Sequence, residues 1–118
     1  RFASLSGRFY AMDRDNRWER IEGAFNAVYH GRAEHRANNA HNALADAYER
    51  GESDEFVSPV VIGEPAAIED GDAVFFMNFR DDRAREMTRA FIDNELDTFE
   101  RGIRKQLSGF VMLTQYAD

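Results

Sequence analysis

Residues Asp72–Arg89 read DAVFFMNFRDDRAREMTR, and the fold class turns on this stretch. An apolar run, Ala73–Met77, passes through Asn78 and Phe79 into Arg80, Asp81, Asp82, Arg83 and Arg85. A helical pattern then follows through Ala84, Met87, Thr88 and Phe91. A short continuous apolar run followed at once by a helix predicts a buried strand feeding a helix. A helix N-terminus is electropositive, so Asp81 and Asp82 are expected caps, whereas Arg80 and Arg83 work against the dipole unless an anion sits beside them. The crevice beyond the carboxyl end of a strand is also where open α/β sheets bind ligands. The junction therefore predicts an anion site built from Arg80 and Arg83. The same charges also fit surface ion pairs with Asp81, Asp82 or Glu86.

Outward from this junction the chain alternates strands and helices, the pattern of an α/β fold. The expected sheet is mixed or mostly parallel and flanked by helices. Towards the N-terminus, Phe2–Ser6 reads as a short strand, Gly7 breaks it, and Arg8–Asp15 reads as a loop. Asn16 with Glu19 three residues on has capping-box spacing. It predicts a helix over about Arg17–His30, with Trp18, Ile21, Phe25, Val28 and Tyr29 on one face. Gly31 is the expected stop, and Gly31–Asn39 reads as a loop. A second helix is predicted over Ala40–Arg50, with Leu44, Ala47 and Tyr48 inward and Gly51 as its stop. Pro59 inside Val57–Ile62 predicts an edge strand or an extended segment. Beyond the central helix, a short helix is expected around Phe99–Arg104 and a last strand at Phe110–Leu113. The opening repeats the logic of the central junction: a strand ends, Arg8 and Arg14 appear, and a helix begins. Two such junctions converging would hold a ligand with several negative charges.

Composition narrows the function classes. The chain has 118 residues, enough for one compact domain. Its formal net charge is −7, which argues against a nucleic-acid partner. Lys105 is the only lysine; the other basic side chains are arginines, which suit bidentate recognition of carboxylate and phosphate. An acidic chain that concentrates arginine at a few points suggests a small anionic ligand. There is no cysteine, so disulfides, thiolate metal sites and cysteine nucleophiles are excluded, and a reducing cytoplasm fits. No run is long enough to cross a membrane. The chain begins at Arg1 and stops just past an apolar run, which reads as a fragment of a longer protein.

Four stretches carry a family resemblance: SGRFYAMDRDNRWER (Ser6–Arg20), DEFVSPVVI (Asp54–Ile62), FFMNFRDDRARE (Phe75–Glu86) and FVMLTQY (Phe110–Tyr116). In this order they resemble the cofactor-independent (2,3-bisphosphoglycerate-independent) phosphoglycerate mutases. The resemblance implies interconversion of 3-phosphoglycerate and 2-phosphoglycerate through a phosphoserine intermediate. It places this chain in the phosphotransferase domain as an incomplete piece. The nucleophilic serine and two divalent metals, typically manganese, are implied for an alkaline-phosphatase-like domain outside the chain, with none bound by the chain itself. A cytoplasmic, monomeric full-length enzyme with no membrane partner is also implied. Carried over residue by residue, the substrate-gripping arginines are Arg8, Arg14, Arg80 and Arg83. Many family members have Pro or Ala where Asp81 stands, so an inward-pointing Asp81 would weaken anion binding. The alternative to an enzyme fragment is a stand-alone anion-binding module.

Other residues are tempting by type alone. His30, His35 and His41 lack the i, i+4 pair of a helical metal motif. Asp13, beside Arg14, is expected to orient an arginine, and Asp15 to help cap the helix. Ser4, Ser6 and Ser58 are nucleophiles only by residue type. Trp18, Phe25 and Tyr29 form an aromatic stripe expected in the core.

Overall fold

The computed structural model of the chain describes residues 1–93, 99, 101–102 and 105–113. Within them are five strands and four α-helices: β1 (Ser4–Leu5), α1 (Arg8–Ala11), α2 (Trp18–Phe25), β2 (His35–Ala37), α3 (Ala40–Glu49), β3 (Val60–Ile62), β4 (Ala73–Phe76), α4 (Arg85–Ile92) and β5 (Gly109–Met112). A π-helical turn at Asn26–His30 extends α2, and a 3-10 turn covers Asp54–Phe56. The α/β class holds, in the form of two small sheets. One has the order β1-β3-β2, with β1 antiparallel and β2 parallel to β3. The other pairs β4 parallel to β5, with Phe75 opposite Val111. Half of the short helix expected around Phe99–Arg104 lies outside the described residues.

Two apolar clusters hold these layers. In the larger, Ile21, Phe25 and Tyr29 of the first long helix pack on Met87, Ala90 and Phe91 of α4, with Val74, Phe76 and Phe110 against them. Phe25 stacks on Tyr29 at 4.6 Å, and Phe91 meets both rings edge-on at 5.4 and 5.5 Å. These geometries favour the quadrupoles of the rings as well as burying area. The smaller cluster joins Ala43 of α3 to Val60 and Ile62. Asn39 caps α3, its side-chain oxygen accepting the Asn42 N–H at 2.8 Å, as the N-cap rule requires.

Several expectations are corrected. Val28 is exposed because the π-helical turn adds a residue to the winding, which keeps Tyr29 on the buried face and turns Val28 away. Tyr48 is also half exposed, its hydroxyl donating to Asp54 Oδ1. Pro59 does not make an edge strand. It stands just before β3, which therefore keeps all its N–H groups and takes the centre of its sheet. The polar segment after Gly31 contains β2, too short and too charged to show an apolar alternation. Gly31 itself ends the π-helical turn at φ 66°, a left-handed conformation that favours glycine. Finally, β4 is not buried on both faces. Val74 and Phe76 turn inward, while Phe75 and Met77 are 59% and 70% exposed.

Gly7 is fixed by close approach. It ends β1 by donating its N–H to Val57 O at 2.8 Å, and a Cβ there would lie 2.4 Å from Glu55 O and 2.6 Å from Val57 N. Both are backbone atoms that cannot swing aside. Gly7→Ala should therefore lower stability by about 1–3 kcal/mol, the usual cost of forced overpacking. A denaturant midpoint unchanged from wild type would contradict this packing.

Candidate functional site

The two arginine-bearing junctions are brought together by the α2–α4 contact, although they leave different sheets. The first junction begins with α1, a one-turn helix where a loop was expected. Its chain then turns through Asp13–Arg17 into α2. Asn16 is not the side-chain cap. It sits at φ 60°, and the Asp13 carboxylate takes the capping role through its Oδ2, accepting N–H bonds from Asp15 at 3.1 Å and Arg17 at 2.8 Å. The second junction runs from Asn78 to Ala84, and α4 starts at Arg85 without a side-chain cap. The expected capping by Asp81 and Asp82 is absent. Asp81 is exposed and accepts from Arg85 at 3.3 Å.

Asp82 does something else: its carboxylate is shared by both junctions. Arg14 Nη1 donates to Oδ2 at 3.0 Å, while Arg80 donates from Nε to Oδ1 at 2.8 Å and from Nη2 to Oδ2 at 3.2 Å. The bond from Arg14, joined by those from Arg80, holds the Asp82 carboxyl below the usual aspartate range. Arg83 crosses between the junctions too, its Nη1 donating to Met12 O at 3.2 Å, and its Nε is buried without a partner. Arg8 is half exposed and pairs with Glu55 at 2.9 Å.

Arg8, Arg14 and Arg83 line one small cavity of about 180 Å³ together with Arg17 and Arg20. Five arginines there face three carboxylates, those of Asp13, Asp15 and Glu55, so a chain that is acidic overall is locally basic. Arg80 does not line this cavity; it reaches it through Asp82. Arg17 and Arg20 were missed in the sequence. They occupy the start of α2, where cations oppose the helix dipole, the same signal that singled out Arg80 and Arg83. Arg20 also lies over the Phe9 ring, 3.7 Å from its centroid, a cation–π contact that fixes the guanidinium. A larger cleft of about 740 Å³, lined in part by Glu22, Arg32, Glu34 and Pro59, has a single arginine among acids and suits a multiply charged anion poorly.

Beneath the small cavity lies a pair of buried acids. Asp13 and Glu86 are each 4% exposed, and each acts on the protonation of the other. Burial, helped by the charges of Asp13 and Asp15 and opposed by the Asn16 N–H, pushes Glu86 up to about 7. Burial also acts upward on Asp13. The Arg17 and Asp15 amides, Glu86 and the Arg17 side chain outweigh it and hold Asp13 below its usual value. Asp13 contacts not its neighbour Arg14 but Arg17, with Nη1 at 3.4 Å, and Arg20, with Nη1 at 3.5 Å.

Among the described residues no group of three or more His, Asp or Glu side chains is disposed to hold a metal ion. The described residues do not fit the divalent metals that the resemblance implies for the part of the enzyme outside this chain. His30 instead hydrogen-bonds the Arg101 carbonyl, and Ser58 Oγ donates to Glu52 at 2.8 Å. No helix among the described residues is long and apolar enough to cross a membrane.

Residues 1–118 match the family described as BPG-independent PGAM N-terminus (iPGM_N). The 2,3-bisphosphoglycerate-independent phosphoglycerate mutase of Idiomarina loihiensis is 67% identical over 118 residues, 100% of this chain and 23% of that protein. Its counterpart in Pseudomonas fluorescens Pf-5 is 56% identical over 117 residues, 99% of this chain and 23% of that protein. A crystal structure of Leishmania mexicana phosphoglycerate mutase, determined at low cobalt concentration, superposes with a TM-score of 0.89 at 33% identity. The match covers 97% of this chain and 22% of that one. The chain thus spans just under a quarter of the length of these relatives.

The acid pair gives stability a definite pH dependence. The Glu86 value in the fold lies above its ordinary 4.5, so the fold keeps a proton that the unfolded chain releases. That contribution is present below pH 4.5 and is lost as pH rises through about 7. Asp13 acts oppositely: its contribution is present above 3.8 and lost as pH falls through its lowered value. Glu86→Gln removes the first slope. The melting temperature of this variant should therefore gain on wild type between about pH 5 and about pH 8. A constant difference across that range would contradict the buried proton.

Proposed function

The chain belongs to the 2,3-bisphosphoglycerate-independent phosphoglycerate mutases, in the region described as their N-terminus, and from this premise we propose that it supplies the substrate grip of such an enzyme. The complete protein interconverts 3-phosphoglycerate and 2-phosphoglycerate in the cytoplasm, as a monomer, through a phosphoserine formed on a serine outside this chain. The chain itself is part of the phosphotransferase domain. Two divalent metals, manganese by the resemblance, belong to the part of the enzyme outside it.

Arg8, Arg14, Arg80 and Arg83 hold the substrate. One observation carries this reading: a single carboxylate, that of Asp82, is already clasped by Arg14 from one junction and Arg80 from the other. That carboxylate stands where an anionic ligand would gain most. Exposed ion pairs of this kind are individually weak, so a ligand bearing both a carboxylate and a phosphate can compete for the same guanidinium groups. The bond from Arg83 to Met12 O keeps the two junctions in register while that exchange occurs. Orientation of this kind matters because a glycerate retained between two phosphoryl transfers must turn without leaving. Charge-assisted contacts to its carboxylate permit this.

In the complete enzyme, Arg80→Ala or Arg14→Ala should remove roughly 2–3 kcal/mol of transition-state stabilisation, about 30- to 150-fold in kcat/KM. Steady-state kinetics with 3-phosphoglycerate measure this directly. Near-normal turnover in both variants would overturn the assignment of the grip.

A further inference from the structure

Taking Arg14 and Arg83 as part of the substrate grip proposed above, we propose that Glu86 is a positioning residue: it clamps the Asp13–Arg17 turn onto α4 and so fixes where Arg14 stands relative to Arg83. Glu86 lies in the first turn of α4 and is buried, which is rare for a glutamate without an ion pair. Its Oε2 accepts the N–H of Asn16 at 3.0 Å. Arg83, three residues earlier, holds the carbonyl of Met12 at 3.2 Å. The segment is thus pinned at both ends, at Met12 by Arg83 just ahead of α4 and at Asn16 by Glu86 in its first turn, and Arg14 lies midway between the pins. Asn16 sits at φ 60°, a conformation that asparagine tolerates better than most residues.

The second oxygen of Glu86 explains why the clamp is a carboxyl group. Oε1 is buried and accepts no N–H or O–H bond, and burial, with the charge of the buried Asp13 carboxyl beside it, pushes Glu86 up to about 7. Two buried carboxylates side by side are costly unless a proton is kept between them, so the pair is assigned one. Glu86 carries it and donates it to Asp13, which stays ionised because it already accepts N–H bonds from Asp15 and Arg17. The other charges around the pair are Asp15, Arg17 and Arg20 on the side of the turn and α2, and Arg83 on the side of α4. Losing the shared proton sets two buried negative charges against each other across the contact between turn and helix. The turn then loosens from α4, and Arg14 moves away from its place beside Arg83. Grip and proton are therefore linked: affinity for an anionic substrate falls as Glu86 ionises.

The test uses the complete enzyme, with kcat and KM for 3-phosphoglycerate measured from about pH 6 to about pH 9. Wild type is compared with Glu86→Leu, Glu86→Gln and Arg14→Ala. Glu86→Leu should raise KM about tenfold and lower kcat less, as expected when ground-state grip is misaligned. Glu86→Gln carries an amide donor in place of the carboxyl proton, so it should recover most of that loss. Its KM should also lack the extra rise that wild type shows above about pH 7. Should Glu86→Leu fold with an unchanged KM while Arg14→Ala raises it, the grip stands and the positioning role of Glu86 is overturned. A Glu86→Gln profile that superimposes on wild type overturns the shared proton. Wild-type kcat/KM in Arg14→Ala removes Arg14 from the grip, and overturns the role of Glu86 with it.

Discussion

The contact between the first long helix and α4 is the constraint on which the rest depends. Phe25 and Tyr29 from one helix and Phe91 from the other form a closed set of ring contacts. Ile21, Met87 and Ala90 fill the space around them. Fully burying side chains of this size stabilises by about 1.5–3 kcal/mol each, far more than any of the exposed ion pairs nearby. The apolar contact therefore sets the distance between the starts of the two helices, and the polar groups adapt to it. Arg14 and Asp82 are 68 positions apart in sequence, and they meet because each lies just ahead of a helix whose buried face has already found its partner.

This order of strengths explains how an acidic chain makes a basic site. The arginines of the two junctions are each held by a carboxylate or a carbonyl: Arg8 by Glu55, Arg14 and Arg80 by Asp82, Arg83 by Met12 O. Such contacts restrict long side chains to useful rotamers before a ligand arrives. Their strength is modest because three of these carboxylate contacts are exposed, so a ligand can replace them. The buried acids beneath are different in kind. Asp13 and Glu86 spend an oxygen each on backbone N–H groups, and Asp13 holds Arg17 and Arg20 with its other one. Surface carboxylates thus set the rotamers of the arginines, and buried ones set the path of the chain that carries them.

Much of this was legible in the sequence. The apolar spacing of Ile21, Phe25 and Tyr29 marks a buried face, and the placement of Arg80 and Arg83 against a helix dipole points to the two junctions that the fold brings together. What was not legible depends on tertiary contact. Val28 follows the helical period and is still exposed, because a π-helical turn cannot be read from apolar spacing. Pro59 suggests an edge strand, yet β3 begins one residue later and takes the centre. Asp82 reads as a local cap because nothing in the local pattern announces a guanidinium 68 positions away. Glu86 looks like an ordinary first-turn acid on the favourable end of the dipole. Its burial follows only from the turn that folds over it. Arg17 and Arg20, at the start of α2, were legible by the same dipole rule that singled out Arg80, since the expected helix already begins at Arg17.

The strand that leads to Arg80 shows the same dependence on distant partners. On β4, Val74 and Phe76 face the α2–α4 cluster, whereas Phe75 and Met77 face outward beside Val111 of β5. Phe79, at the end of the run, is 79% exposed. The inward residues anchor the strand to the helical contact. The outward ones lie in the same short segment as Arg80, with no side chain among the described residues covering most of their surface. Displacement of β4 along its own axis would move Arg80 relative to Asp82 and Arg14, while the α2–α4 contact keeps Arg83 and Glu86 in place. The site therefore has two mechanical halves. Arg14, Arg83, Asp13 and Glu86 are tied to the helical core, and Arg80 is tied to a strand whose outer face is open. The carboxylate of Asp82 is the direct polar bond between them, accepting from Arg14 on one side and from Arg80 on the other.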